Sequence, residues 1–237
     1  MATMLTESRF HELTDAFRHL SIALVGDFCL DRYLEIDFHR QEVSLETGLP
    51  VWNVAEVRPQ PGGCGTIANN LVALGASQIH AVGFCGWDGE GWELRDRLGR
   101  LPGVNLDHFQ STHQRKTFTY TKPLALNAVG PPTELNRIDI KNWDPTPVKI
   151  SEAICRSLQE LAVRPVNAVI VLDQCDKPNV GAVTDAVLAT IGELAVARME
   201  ERRAQREQHR RNAKHTGENP KAPIAETMPA VTVPESP

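Results

Sequence analysis

With 237 residues, 41% of them hydrophobic and 23% charged, the chain is long enough for one large α/β domain or two small ones and has an ordinary globular composition. A net charge of −5 argues against a general nucleic-acid binder, and no run approaches the roughly 18 apolar residues needed to span a bilayer. Five scattered cysteines, Cys29, Cys64, Cys85, Cys155 and Cys175, form no Cys-x-x-Cys pair, so neither a zinc site nor a disulfide framework is indicated, and a reducing cytoplasmic compartment is expected.

Met1 to His19 is polar and amphipathic, without the apolar run of a signal peptide. Leu5, Leu13, Phe17 and Leu20 predict a leading helix over 6–19, within a first segment of residues 1–20. Ser21 to Val25 is an apolar run of the kind found in buried parallel strands, and it ends at Gly26-Asp27. Ligands of open α/β sheets sit beyond the carboxyl ends of strands, which makes Asp27 and Asp31 candidate acceptors for substrate hydroxyls. The plainer alternative for both is a turn aspartate and a surface charge. Tyr33–Phe38 and Val51–Val57 are two short β-like runs around a polar segment. They predict a flap, with lid strands at about 33–38 and 51–57.

Pro61-Gly62-Gly63-Cys64-Gly65-Thr66 then makes a glycine turn into a helix carrying Ile67, Leu71 and Leu74. Adjacent glycines permit positive φ and close approach of a ligand to the backbone. The helix start adds free N–H groups and a positive dipole end. Thr66 is the predicted cap and Gly75 the terminator. The spacing fits neither the dinucleotide fingerprint nor a P-loop, and a tight loop before a packing helix remains the alternative.

Further strands are expected at Ile79–Phe84, Val104–Phe109 and Thr117–Thr121, with a helix through Leu94 and Leu98. Residues 123–149 read as loop, with a strand at Leu135–Ile140. Ser151 is the expected cap of a helix whose face is Ile154, Leu158 and Leu161. Ala168–Leu172 reads as the clearest buried strand, ending at Asp173. Pro178 and Asn179 are expected to open a helix bearing Val183, Val187, Ile191 and Leu194. Strand–helix alternation over 21–195 predicts an α/β fold with a mostly parallel sheet. Residues 196–237 form a charged and then proline-rich tail. Ala197 to Lys214 holds seven Arg or Lys and three Glu, a net of +4. It reads either as a solvated continuation of the helix or as disorder. Residues 216–237 are predicted to be disordered. Interleaved acids and missing aromatics argue against nucleic-acid binding by this stretch.

In order, Gly26-Asp27-Phe28-Cys29-Leu30-Asp31-Arg32-Tyr33, Pro50-Val51, Pro61-Gly62-Gly63 through Leu74-Gly75-Ala76, Lys116-Thr117, Asn136-Arg137-Ile138-Asp139 and Val171-Leu172-Asp173 resemble the ribokinase-like (PfkB) carbohydrate kinases. They are nearest to the heptose 7-phosphate kinase type. The resemblance covers about residues 20–195. It implies a ribokinase-like α/β fold with a small β lid, and ATP- and Mg²⁺-dependent phosphoryl transfer to a sugar or sugar phosphate. It further implies that Asp31 binds sugar hydroxyls, that the Gly62-Gly63 backbone lies against the sugar, and that Thr66 stands where the family usually has Asn.

The family's later Gly-x-Gly-Asp turn and Asn-x-x-Glu segment have no counterpart after Asp173, so no catalytic residue is assigned. The kinase domain of residues 21–195 is expected to be truncated and catalytically incomplete. A sugar-kinase homologue, a non-catalytic sugar-binding or interaction module, and the product of a broken reading frame all remain open. Homodimerisation through the lid or an exposed sheet edge is a further expectation.

Overall fold

The computed structural model describes residues 6–127 and 129–216, with side chains described as far as Asn212. The expectation for the proline-rich residues up to 237 lies outside them. The elements run α1 (Glu7–Ala16), β1 (Ser21–Gly26), β2 (Phe28–Ile36), β3 (Glu42–Val43), β4 (Pro50–Val51), β5 (Val54–Gly63), α2 (Cys64–Ala73), β6 (Gln78–Gly86) and α3 (Gly89–Gly99). After these come β7 (Val104–Asn105), β8 (Phe109–Thr112), β9 (Phe118–Ala125), β10 (Thr133–Glu134), β11 (Ile138–Ile140), α4 (Val148–Ala162), β12 (Ala168–Leu172) and α5 (Asp185–Thr216).

The main sheet has the order β12-β1-β6-β7, with β8 also on β6, and every pairing in it is parallel. Alternate residues of β1 face opposite layers, as the strand period requires. Ala23 and Val25 pack with Ile150, Ile154, Leu158 and Leu161 of α4 and Val187 of α5. Leu24 packs with Cys64 and Ala68 of α2 and Leu94 and Leu98 of α3. Helices on both faces are what a parallel sheet needs to bury its apolar sides.

A second sheet, order β10-β9-β2-β5 with β11 also on β9, forms the lid. β2 runs antiparallel to β5 and parallel to β9. The β3–β4 hairpin extends from it. The chain passes from the main sheet to the lid through Asp27, the residue between β1 and β2. Arg32 on β2 reaches back to Glu90 and Glu93 of α3, at 3.6 and 3.3 Å, and ties lid to body.

Several local expectations are corrected. The lid strands are longer than the apolar runs, since cross-strand pairing carries them through Arg32 and Gln60 and up to the glycines. Gly63, not Thr66, is the N-cap of α2, and the Thr66 hydroxyl contacts the Pro61 carbonyl at 3.4 Å. Pro147 caps α4, and Ser151 is buried within its first turns against Thr184. Asn179 takes a left-handed turn at φ 62°, and α5 begins only at Asp185. The strand read as most buried, β12, is the edge of the main sheet, with Val169 46% and Val171 38% exposed. Its apolar run reflects parallel pairing rather than full burial. α5 continues as helix through the charged stretch to Thr216.

Candidate functional site

The carboxyl end of β1 is held by Asp27. Its side chain is buried, and its two oxygens accept hydrogen bonds from the backbone N–H groups of Gln174, at 2.9 Å, and Ala182, at 2.7 Å. Its own carbonyl accepts from the N–H of Cys64 at the start of α2, at 2.9 Å. One residue therefore joins β1, the glycine turn and the loop between β12 and α5. Gly63 stands at φ 57°, and a Cβ built there would lie 2.4 Å from the Asp27 carbonyl oxygen. Gly62 lies opposite Cys29 across β2 and β5, and a Cβ there would lie 2.7 Å from both the Asp31 carboxylate and the Cys29 sulfur. Only glycine fits at Gly63, whereas a methyl at Gly62 would require the Asp31 and Cys29 side chains to shift. Burial, then Asp31 and Asp27, push Cys29 up to about 12, and burial followed by Asp27 also raises Cys64 and Cys175.

Asp31 lies four residues on, in the lid, and its carboxylate is part-exposed. Register places Asp31 beside Gln60 on one side and Tyr120 on the other. The neighbouring row is Tyr33 with Arg58 and Lys122. Directly paired residues share a face, so these side chains form one polar and aromatic surface. Lys122 Nζ is 2.9 Å from Asp31 Oδ1 and 3.3 Å from the Tyr33 hydroxyl. Burial disfavours the Lys122 ammonium, but the hydrogen bonds to Asp31 and Tyr33 outweigh it and hold its pKa above the ordinary value.

Arg58 pairs with Glu35 at 2.6 Å. Arg137 lies over the Tyr120 ring at 5.0 Å and pairs with Asp139, and Lys141 reaches both Asp139 and Asp176. The face meets the loop after β12 around a crevice of about 50 Å³ lined by Phe118, Tyr120, Trp143, Gln174, Cys175 and Lys177 among others. Sites that enclose small ligands run to about 300–1,000 Å³, so this crevice is a corner of an open face, not an enclosing pocket. A larger groove of about 610 Å³ lies between α4 and the start of α5, beside Ser151, Cys155 and Asn179. It lies away from Asp31 and the glycine turn.

The structure brings Asp27, Asp31, Gly62 and Gly63 to one corner. Thr66 is on the first turn of α2, exposed, with its hydroxyl on a backbone carbonyl. Each Asp27 carboxylate oxygen accepts one backbone N–H. Lys122 was not singled out from the sequence. The alternation Phe118, Tyr120, Lys122 could have found it, had the strand been carried past Thr121. Among the described residues, no three His, Cys, Asp or Glu side chains converge where they could share a cation.

A mostly parallel sheet between helix layers with a small β lid is a ribokinase-like α/β fold. The chain's homologues and structural neighbours are PfkB/ribokinase-like sugar kinases, and it corresponds to the N-terminal part of those homologues. It is 32% identical over 179 residues to the bifunctional protein HldE of Gluconobacter oxydans, covering 76% of this chain and 35% of that protein. It is 30% identical over 176 residues to the D-beta-D-heptose 7-phosphate kinase of Bordetella bronchiseptica, covering 72% of this chain and 50% of that one. The chain thus spans a third to a half of the length of these relatives. An Arabidopsis thaliana ribokinase structure with ribose and ATP aligns over 64% of this chain and 45% of its own at 20% identity and a TM-score of 0.39. No protein-family model matches the chain. Among the described residues no helix is long and apolar enough to cross a membrane.

Proposed function

We propose that the lid face is the sugar-binding surface of a carbohydrate-kinase homologue, whose whole-protein reaction is ATP-dependent phosphoryl transfer to a sugar phosphate. We further propose that this chain binds the sugar without completing the transfer. The observation that carries the reading is the junction of Asp31, Lys122 and the Gly62-Gly63 turn. It sets a carboxylate for hydroxyl groups beside backbone that a sugar can approach without meeting a Cβ. The Lys122, Arg137, Lys141 and Lys177 side chains around that junction suit a phosphorylated sugar, since cations beside an anion form the stronger hydrogen bonds. Heptose 7-phosphate is the acceptor that the relatives' names suggest.

Calorimetric titration with heptose, hexose and pentose phosphates tests the binding. One of them is expected to bind, and Asp31→Ala to weaken it by about 1.5–3 kcal/mol, roughly ten- to a hundredfold. Unchanged affinity in that variant would remove Asp31 from the site. An ADP-release assay with Mg²⁺ and ATP is expected to show no sugar-dependent turnover. Release at ordinary kinase rates of about 1–100 per second would overturn the second half of the reading.

A further inference from the structure

Each glycine of the turn leaves room for one polar side-chain end, and the two ends come from different parts of the fold. A Cβ built on Gly62 would lie 2.7 Å from the Asp31 carboxylate, and one built on Gly63 would lie 2.7 Å from Gln174 Oε1. Both distances are shorter than a real Cβ contact, so the Gln174 amide rests on bare backbone as the Asp31 carboxylate does. Asp31 belongs to the lid strand β2, and Gln174 to the loop between β12 and α5 in the body. Successive Cα atoms are about 3.8 Å apart, so the two ends stand over neighbouring residues.

The backbone holds Gln174 in place. Its N–H donates to the buried Asp27 carboxylate at 2.9 Å, and the other oxygen of that carboxylate takes the Ala182 N–H at 2.7 Å. The loop is thus pinned at two points, and the side chain is left facing the turn. That side chain is exposed and lines the crevice with Tyr120 and Trp143. Its amide has no hydrogen-bond partner among the described residues.

An exposed glutamine without partners is ordinary on a protein surface. This one is distinguished by its anchored backbone and by its seat on Gly63. Nearby groups are already engaged. The Asp27 carboxylate accepts its two N–H groups, the Thr66 hydroxyl is on the Pro61 carbonyl, and Asp31 keeps Lys122 at 2.9 Å. A glutamine amide is neutral and offers an acceptor oxygen and two donor hydrogens. It suits a hydroxyl, which both gives and accepts a hydrogen bond, whereas the cations of the lid face suit a phosphate.

Resting on the sugar-binding reading of this face, we propose that Gln174 is a specificity-determining residue of the site. Its amide reads one sugar hydroxyl from the body side while Asp31 takes another from the lid. A sugar phosphate epimeric or deoxygenated at the carbon facing Gln174 then binds more weakly.

The test is calorimetric titration of the full chain, Gln174→Ala and Asp31→Ala. The ligands are heptose 7-phosphate and the 6-phosphates of glucose, mannose and galactose, then single-deoxy analogues of the tightest binder. Gln174→Ala is expected to weaken the tightest ligand about three- to tenfold, the range of one neutral hydrogen bond. One deoxy analogue is expected to bind the parent more weakly yet lose nothing further in Gln174→Ala, because each change removes the same bond. A different analogue is expected to behave so with Asp31→Ala. The melting temperature of Gln174→Ala should equal that of the parent, since the bond to Asp27 is made by the backbone and remains.

Parent-like affinities in Gln174→Ala, with Asp31→Ala weakened, would overturn the role of Gln174 and leave the sugar face standing. An equal further loss for every deoxy analogue, or a lowered melting temperature, would make Gln174 a structural residue and also overturn it. A parent chain that binds none of the sugar phosphates would overturn the sugar-binding reading itself, and the role of Gln174 with it.

Discussion

Replacing Asp27 by alanine separates two readings of the strand end. In the structure its carboxylate accepts two buried or part-buried backbone N–H groups at 2.7 and 2.9 Å. Hydrogen bonds to a charged acceptor contribute about 1.5–3 kcal/mol each, and an orphaned buried donor costs about 1–3 kcal/mol. The Gln174 N–H is only part-buried, so water can replace the lost acceptor there, while the Ala182 N–H is fully enclosed. Removing the buried carboxylate also relieves its own desolvation.

The net loss is then about 3 kcal/mol, a large part of the roughly 5–15 kcal/mol that folded domains have. At about 2–4 °C per kcal/mol for a chain of this size, the melting point should fall by about 6–12 °C. Asp27→Asn keeps one acceptor oxygen and should lose about half as much. Urea unfolding of both variants gives the free energies, and hydrogen exchange at Gln174 and Ala182 locates the loss. Asp31→Ala is the control, since a part-exposed ion pair is worth about 1 kcal/mol or less. Stability of Asp27→Ala within about 0.5 kcal/mol of the parent, with both amides still protected, would refute the joining role. A selective loss of sugar affinity in the same variant would return Asp27 to the substrate.

Gly63→Ala should destabilise by about 2–4 kcal/mol in thermal unfolding, because the methyl meets the Asp27 carbonyl oxygen as well as requiring φ 57°. Gly75→Ala, at φ 89° with open space around it, should cost only about 1 kcal/mol. His80 is buried, and that burial, then His108 and Arg164, lower its pKa, with Asp107 acting weakly the other way. A folded-state pKa below the unfolded value of about 6.5 favours folding above that pH, and the contribution is lost as pH falls below it. Urea midpoints should therefore drop from pH 7 to pH 5, and less steeply in His80→Gln. Lys122→Met keeps the apolar stem but leaves Asp31 without its ammonium, and sugar-phosphate affinity by calorimetry should fall about tenfold. Full retention of affinity would put Lys122 outside the site.

The parallel core was legible because its strands are apolar runs and its helices repeat at 3.6 residues. Val25, Ile154 and Leu158 are all where that periodicity places them. The glycine turn was legible because no other residue tolerates Gly63. Edges and caps were not, for a shared reason. Whether a strand such as Ala168–Leu172 is central or peripheral depends on which strands pair with it, and its composition is the same either way. Thr66, Ser151 and Asn179 have good capping chemistry, yet the helices start at positions set by the Asp27–Cys64 bond, by Pro147 and by the left-handed turn at Asn179. Lys122 escaped notice because Pro123 follows it, and proline reads as a strand breaker. On β9 that proline sits opposite Leu34 in a parallel pair, and the strand continues to Ala125.

The two aspartates show how far residue type alone can carry a functional reading. Asp27 and Asp31 are four residues apart, and each begins as a candidate hydroxyl acceptor at a strand end. The chain turns from the main sheet to the lid between β1 and β2, and the acid at that turn is surrounded by backbone with unmet donors. Burial at 4% exposure forces the Asp27 carboxylate to serve those N–H groups, because an unpaired charge there would be far costlier than the two bonds it makes. Asp31 lies beyond the turn, on a lid strand with Lys122 beside it and part of its carboxylate open. It can keep its ion pair and still accept from a ligand. Asp27, between the two sheets, builds the corner, and Asp31, on a lid strand, keeps part of its carboxylate open.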